Sequence, residues 1–242
     1  MTSKILLRFE EKPLTEVLTV NFLTEDFGEA ALGEYRGRVN ADYNGNEILN
    51  VLSYQNGVVQ GSNPFAVVLI NKFLPKDMRV ATLSDLEIIL RPDALDLRGT
   101  YEDLALVLRN TENPNADLAR NLDEQIKTRG EFQYPVMVSL TDLEIVNDPS
   151  SSYCLSLNLR DDAQIIYEPQ LAHENDGKKF LETGESGLPV FCDNGKRILY
   201  TRENGLSRLS LGRFSYFYSV WGNLGNSYPD GRIIVLMDET TK

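Results

Sequence analysis

Short apolar runs separated by turn residues dominate the pattern along this chain. Near its start, Leu18, Val20 and Phe22 alternate with polar residues, the period of two that is typical of a half-buried strand. Asn-Gly pairs lie between such runs, and they favour two-residue type I′ hairpin turns because both central residues of that turn need positive φ. The four pairs are Asn44-Gly45, Asn56-Gly57, Asn194-Gly195 and Asn204-Gly205. The pattern therefore predicts an all-β, mainly antiparallel fold in which each pair closes a hairpin.

In the first half of the chain, the pattern predicts strands near 36–43, 47–54 and 58–60, joined into a meander by the first two Asn-Gly turns. The apolar run from 65 to 70 is continuous, which predicts a strand buried on both faces. Residues 101–109 fit two interpretations: capping-box spacing at the start favours a helix, and a strand is the open alternative.

One helix is predicted near residues 114–129. Leu118, Leu122 and Ile126 follow one another at four-residue steps, so a single apolar stripe results, and Gly130 provides a stop. The other side of this helix is charged and is expected to face solvent. We expect the helix to lie across a sheet or to bridge two halves of the protein.

The second half of the chain returns to strands. In its last part they are predicted near 188–193, 196–202, 206–211, 213–221 and 232–237. Tight turns separate most of them, and Tyr228-Pro229-Asp230-Gly231 has the residue order of a type I turn. A meander of four or five strands is therefore expected. The polar segment 168–187 has no periodic pattern and predicts a long surface loop.

A short internal similarity bears on the domain organisation. The sequence at 83–89 recurs in similar form at 140–146, which indicates either a duplicated unit or chance similarity between two acidic strands. We expect a β-sandwich or two small β units: an N-terminal β region at 1–110, a bridging helix at 111–130 and a C-terminal β region at 131–242. A single domain is the open alternative.

Aromatic residues are concentrated in the predicted strand at 213–221, where they alternate onto both faces. Core packing of a central strand is one explanation. The other is a platform for binding a sugar or a protein, because Tyr and Trp are enriched at interaction hot spots. The candidate binding residues are Tyr216, Tyr218, Trp221 and Tyr228.

No pattern of catalytic or metal-binding residues is present. The chain lacks a Gly-x-Ser-x-Gly elbow, a Walker loop, a dinucleotide fingerprint and a Cys-x-x-Cys pair. Its only histidine, His173, cannot form a two-histidine metal site. Acid pairs such as Asp161-Asp162, Asp85 with Glu87 and Asp142 with Glu144 could serve a glycosidase, but nothing selects two of them, and solvated acidic strand edges are the simpler explanation. We therefore expect no catalytic residue, no metal site and no cofactor.

Composition limits which classes of partner and which cellular location are expected. The 24 Lys and Arg residues against 36 Asp and Glu residues give a formal net charge of −12, which disfavours nucleic acid. The sequence contains no run of about 18 apolar residues, so no membrane span is predicted. Cys154 and Cys192 are too few for a disulfide framework, so both are expected to be reduced. We expect a cytoplasmic protein, or one incorporated in a particle assembled in the cytoplasm.

Absent chemistry and abundant strand edges favour a non-enzymatic structural or interaction subunit of a larger protein assembly, such as a virion, phage-tail or injection-machine component. Its partners would be proteins, in a homo- or hetero-oligomer. The alternative is a carbohydrate-binding or carbohydrate-active β-sandwich that uses the aromatic residues and a pair of acids. A third hypothesis, an inhibitory protein whose acidic surface occupies a basic site, is compatible with the charge.

Overall fold

The structure is a computed structural model that describes residues 18–85, 89–90, 95–97, 99–173, 177–184 and 187–238. Within those ranges the helices are α1 (Glu25–Tyr43), α2 (Pro64–Asn71) and α3 (Ala116–Arg129). The strands are β1 (Leu18–Phe22), β2 (Ser53–Gln55), β3 (Val58–Gln60), β4 (Met78–Val80), β5 (Glu102–Leu108), β6 (Val136–Ser139), β7 (Leu143–Asn147), β8 (Leu155–Leu159), β9 (Ile165–Tyr167), β10 (Lys178–Thr183), β11 (Pro189–Phe191), β12 (Arg197–Tyr200), β13 (Leu206–Gly212), β14 (Tyr216–Tyr218) and β15 (Ile234–Asp238).

An eight-stranded sheet organises most of the strands, in the order β11-β10-β12-β14-β13-β5-β6-β9. Its neighbours are antiparallel except for β12 and β14, which run parallel. The sheet curls into a half-barrel, and the fold is mainly β, with 33% strand and 26% helix. The prediction of a mainly β protein is therefore confirmed, but the β-sandwich is not.

Three smaller sheets complete the fold: β1-β15-β4, β2-β3 and β7-β8. Strand β5 is buried at every position and lies between β13 and β6 of the large sheet, so the open alternative at 101–109 resolves as a strand. A single apolar cluster contains side chains from both ends of the chain, including Leu32, Phe65, Leu155 and Ile233. The division into regions 1–110, 111–130 and 131–242 stays a prediction.

Helix α1 corrects the predicted strand at 36–43 and the first predicted hairpin. Leu32, Tyr35 and Val39 are buried at helical spacing, which anchors the helix on the core. Asn44 has φ of 53° at the C-terminus of α1, and the Gly45 N–H donates to the Val39 carbonyl at 2.9 Å. The left-handed backbone that suits a hairpin turn also suits a helix end, so Asn-Gly here terminates a helix.

Helix α2 corrects the strand predicted at 65–70. Every residue from Pro64 to Ile70 is buried, because α2 packs against β5 and β7 and contacts α1 and β4. A continuous apolar run gives no periodicity, so it fits a helix buried on all sides as well as a buried strand. Asn63 starts the helix: its side-chain Oδ1 accepts the Ala66 N–H at 2.7 Å.

Replacing Asn63 with alanine should lower the free energy of unfolding by about 2 kcal/mol, because the change removes a helix cap and leaves buried carbonyls unpaired. Its Nδ2 donates to the carbonyls of Ile48 at 2.8 Å and Gly225 at 3.0 Å. Urea unfolding measures the effect. Thr24→Ala at the start of α1 is the matched control, because the Thr24 side chain makes no capping bond. We expect less than about 0.5 kcal/mol for it, and equal losses in both variants would contradict the prediction.

Of the three remaining Asn-Gly pairs, one closes a hairpin and two do not. Asn56-Gly57 forms the predicted hairpin between β2 and β3, with φ of 54° and 78°. Asn194-Gly195 and Asn204-Gly205 close no hairpin, since β11 and β12 both pair with β10, and β13 pairs with β14 and β5. Of the predicted C-terminal meander, the antiparallel pairing of β13 with its neighbour β14 is confirmed, and the other pairings are wrong.

The predicted helix near 114–129 and the predicted turn at 228–231 are confirmed, whereas the predicted loop at 168–187 is corrected. Helix α3 is confirmed near 114–129, with Leu118, Leu122 and Ile126 buried against β8 and neighbouring strands. The turn at 228–231 is confirmed by a 2.9 Å hydrogen bond from the Gly231 N–H to the Tyr228 carbonyl. The loop predicted at 168–187 instead contains β10, while 174–176 and 185–186 lie outside the described residues.

The two similar segments are only partly comparable. Leu83–Asp85 and Leu140–Asp142 each form one turn of 3-10 helix, and the second segment continues into β7. Residues 86–88 of the first segment lie outside the described residues. Duplication and chance similarity therefore both stay open.

Candidate functional site

A cleft of about 700 Å³ is lined by residues of β13 and β14 of the large sheet and by residues of the irregular segment 219–233. Of the candidate binding residues, Tyr218, Trp221 and Tyr228 line this cleft, which we call the aromatic cavity, and Tyr216 does not. Trp221 is 39% exposed and Tyr228 is 53% exposed. The cavity wall also includes Thr100, Tyr101, Arg208, Asn223, Asn226 and Asp230.

A row of aromatic rings leads to the cavity. The Tyr218 ring stacks on Trp221 with centroids 5.1 Å apart and planes 2° apart, and on Tyr200 at 5.4 Å and 14°. Tyr216 follows at 6.4 Å from Tyr200, and Phe214 lies 6.0 Å from Tyr216. We call these five residues the aromatic row; in order of contact they are Phe214, Tyr216, Tyr200, Tyr218 and Trp221.

The register of the sheet produces this row. Tyr200 and Tyr218 are direct partners in the parallel β12–β14 pair, so their side chains leave the same face of the sheet. On the other face, Phe217 is buried and stacks on Phe180 in the core. Core packing therefore accounts for Phe217, and a binding platform on the opposite face stays a prediction. A Cβ at Gly212 would lie 2.7 Å from the Tyr218 ring, so only glycine lets that ring cover β13.

Arg208 forms the floor of the cavity and is 1% exposed. Its guanidinium carbon lies 5.2 Å from the Trp221 ring centroid and 5.5 Å from that of Tyr101, a cation–π geometry on two rings. Its Nη1 donates to the Asn226 carbonyl at 3.0 Å and lies 3.4 Å from the Asp103 carboxylate. Arg208 therefore joins strand β13 to segment 219–233.

Segment 219–233 is held in place along its length although it has little regular structure. The Leu224 N–H donates to the Tyr153 hydroxyl at 3.1 Å, and the Tyr228 N–H donates to the Tyr101 hydroxyl at 3.0 Å. Side-chain amides of Asn115 and Asn63 donate to carbonyls of the segment, and the Ser62 N–H donates to a serine hydroxyl in it. The aromatic cavity is therefore preformed, which reduces the entropy lost on binding.

Two buried carboxyl groups lie behind the cavity wall. Asp103 accepts the Ser62 hydroxyl at 2.7 Å; burial raises its pKa, and Arg208 opposes that rise. Burial also raises the pKa of Glu102 to about 8, so this side chain is mostly protonated at pH 7. The Thr100 hydroxyl lies 2.7 Å from Glu102 Oε1 and 3.1 Å from the Leu97 carbonyl. The Thr100 hydroxyl has one proton to donate. When protonated Glu102 donates to the Thr100 oxygen, that hydroxyl proton is available to the Leu97 carbonyl.

Glu102→Gln should remove a pH dependence of stability. The folded-state pKa lies above the ordinary value of 4.5, so the contribution of Glu102 is complete below about pH 4.5 and is lost as the pH rises towards 8. At pH 6, about 1.5 units above the ordinary value, the free energy of unfolding of the variant should therefore exceed that of the wild type by about 2 kcal/mol, and at pH 4.5 the two should nearly agree. Urea unfolding at a series of pH values measures this. Parallel curves for the two proteins would contradict it.

The sequence also indicated acidic side chains and a histidine as candidates, and none of those that the structure describes lines the cavity. Among the described residues, no group of three or more His, Cys, Asp or Glu side chains is placed to hold a metal ion. The acid pairs from the sequence are not brought together there: Asp85 is paired with Arg79 at 2.6 Å, Asp142 accepts the Gln164 N–H at 3.1 Å, and Glu87 lies outside the described residues. His173 does not line the cavity.

Sequence reasoning missed Arg208, Tyr101 and the amides of Asn223 and Asn226. One signal could have indicated the amides: the run from 222 to 227 is rich in Gly and Asn and lies directly after the aromatic strand. Irregular segments held on a sheet often carry binding residues. Arg208 gives no such signal, because its burial depends on partners that are distant in the sequence.

None of the helices among the described residues combines the length and the apolar character that a membrane span requires. Comparison of the sequence with protein-family models, with curated proteins and with solved structures found no match in any of the three.

Proposed function

We propose that this protein is a non-enzymatic interaction subunit of a larger protein assembly and that it binds a protein partner through the aromatic cavity. The observation that carries the proposal is the rigid segment 219–233, which presents Trp221 and Tyr228 to solvent while hydrogen bonds from the protein core hold its backbone.

The residue types of the cavity support protein binding. Trp, Tyr and Arg are the residues most enriched at the energetic centres of protein interfaces, and here Trp221 and Tyr228 line the same cavity as the buried Arg208. The net charge of −12 favours a neutral or basic partner over nucleic acid. An assembly formed in the cytoplasm, with protein partners in a homo- or hetero-oligomer, is the setting that we propose.

Mass photometry of the purified protein, alone and with an extract of its source, tests this proposal. We expect a species heavier than the monomer that is lost in Tyr228→Ala and retained in Tyr167→Ala. Tyr167 is the matched control because it is 45% exposed on β9, an edge strand of the same sheet. A strict monomer under both conditions, or a complex unaffected by Tyr228→Ala, would contradict the proposal.

Carbohydrate binding is the second candidate function, favoured by the size of the cavity and by its combination of aromatic rings and amides. The ring geometry weighs against it: Tyr200, Tyr218 and Trp221 stack on one another, so these contacts occupy ring faces that a sugar would need. A glycan array and a general hydrolase screen discriminate the two functions. Saccharide binding that is lost in Trp221→Ala would reverse their order.

A further inference from the structure

We propose that the segment received by the aromatic cavity is a proline-rich stretch of a partner protein in the polyproline II conformation. This inference rests on the proposed function and names the chemistry of the partner. Polyproline II segments bind in grooves lined with aromatic side chains, and their preformed shape lowers the entropic cost of binding.

The hydrogen-bonding groups of the cavity carry the first step. Asn223 uses its Oδ1 to accept the N–H groups of Gly225 and Asn226 at 2.9 and 3.1 Å, which leaves its Nδ2 as a donor. In the part of the chain that the structure describes, the Trp221 indole N–H and the Tyr228 hydroxyl make no hydrogen bond. An indole N–H can only donate. The free groups of the cavity are therefore weighted towards donors.

A proline-rich segment complements such a lining. Each proline offers a carbonyl acceptor and has no N–H, so the segment brings acceptors without donors of its own.

The geometry of the aromatic row gives the second step. Tyr200, Tyr218 and Trp221 are nearly parallel at successive spacings of 5.4 and 5.1 Å. Because these rings stack on one another, their faces are covered and the row presents mainly ring edges. Tyr228 takes no part in this stack and is 53% exposed, so a proline of the bound segment can pack against its ring.

The charges around the cavity favour a neutral segment. Arg208 is paired with Asp103, and Asp230, which also lines the cavity, interacts electrostatically with Arg232. The formal charges of these four groups cancel at neutral pH, and Glu102 is mostly protonated there. An anionic ligand would also meet the net charge of −12 on the protein.

Fluorescence anisotropy with a labelled peptide of ten prolines tests the inference, using the full chain. We expect saturable binding that Tyr228→Ala weakens about tenfold or more. Trp221→Phe keeps an aromatic ring and removes the indole N–H, and it should weaken binding several-fold. Tyr167→Ala should bind like the wild type. A labelled Gly-Ser peptide of equal length should not bind, because it is flexible and carries its own N–H groups.

The outcomes separate the inference from the proposed function. Absence of proline binding, together with a Tyr228-dependent complex in mass photometry, overturns the inference alone. Absence of both overturns the inference and the proposed function. Equal binding of the proline and Gly-Ser peptides, or proline binding that Tyr228→Ala leaves unchanged, also overturns the inference. Binding of a neutral oligosaccharide in place of the peptide overturns it in favour of the second candidate function.

Discussion

Arg109→Ala is expected to lower the free energy of unfolding by about 4 kcal/mol, the largest effect that we predict for a single substitution in this protein. Arg109 is 5% exposed at the end of β5. Its Nε donates to the Leu171 carbonyl at 2.8 Å, its Nη1 to the Ser207 hydroxyl at 2.9 Å, and its Nη2 to the Thr201 hydroxyl at 2.6 Å. One side chain thus connects three separate parts of the fold.

No carboxylate is among the partners of Arg109 in the described part of the chain; burial and the nearby Arg202 lower the pKa of Arg109 to about 9. The guanidinium is stabilised instead by hydroxyl and carbonyl dipoles, including the Ser219 hydroxyl at 2.8 Å. Truncation removes these charge-assisted bonds and leaves a cavity in a closely packed region, and both effects destabilise.

Urea unfolding with an unchanged m-value would show the loss as a lower midpoint. Arg160→Ala is the control, because the Arg160 side chain is 44% exposed and pairs only loosely with Asp162 at 3.7 Å. A change of less than about 0.5 kcal/mol is expected for it. If Arg109→Ala were no more costly than this control, the hydrogen bonds between Arg109 and the surrounding hydroxyl groups would not contribute to stability.

Asp103→Ala should cost about 3 kcal/mol and should also disturb the aromatic cavity. The change leaves the buried Arg208 guanidinium without its carboxylate, and it leaves the Ser62 hydroxyl without its acceptor at 2.7 Å. Removing one member of a buried ion pair is costly because the remaining charge is uncompensated.

Two measurements check this prediction. Urea unfolding gives the loss of stability, with Asp162→Ala as the control because the Asp162 side chain is 84% exposed. Trp221 is the only tryptophan of the chain, so its emission spectrum reports directly on the guanidinium that lies 5.2 Å from its ring. An unchanged spectrum in a destabilised variant would show that Arg208 keeps its place without Asp103.

Local turn chemistry was predictable, but what a turn connects was not. Asn44 and Asn56 have nearly equal φ values of 53° and 54°, yet the first ends a helix and the second closes a hairpin. The amino acids determine that the backbone is left-handed there. The neighbouring elements determine its use, and for Asn44 the buried face of α1 decides.

Strand existence was easier to predict than strand pairing. Residues 206–211 were predicted as a strand and form most of β13, but the partner of β13 on one side is β5, about 100 residues earlier in the chain. No hairpin signal can indicate such a partner. The predicted meander joined each strand to its neighbour in sequence, and only the β13–β14 pair of it is found in the large sheet.

The candidate site was partly predictable for a related reason. The alternation of aromatic residues indicated which side chains share a face, and Tyr218 and Trp221 indeed line the same cavity. Arg208 could not be chosen from the sequence. Its role depends on Asp103, 105 positions away, and on a backbone carbonyl of segment 219–233.

The position of β15 has a consequence for biosynthesis. This strand lies between β1 and β4 in the three-stranded sheet, and both of those strands form their backbone pairing in this sheet with β15. Translation proceeds from the N-terminus, and the nascent chain therefore displays β1 and β4 with unpaired edges until residues 234–238 leave the ribosome. Such edges recruit other strands and promote aggregation. Chaperone protection during synthesis would matter most for this small sheet.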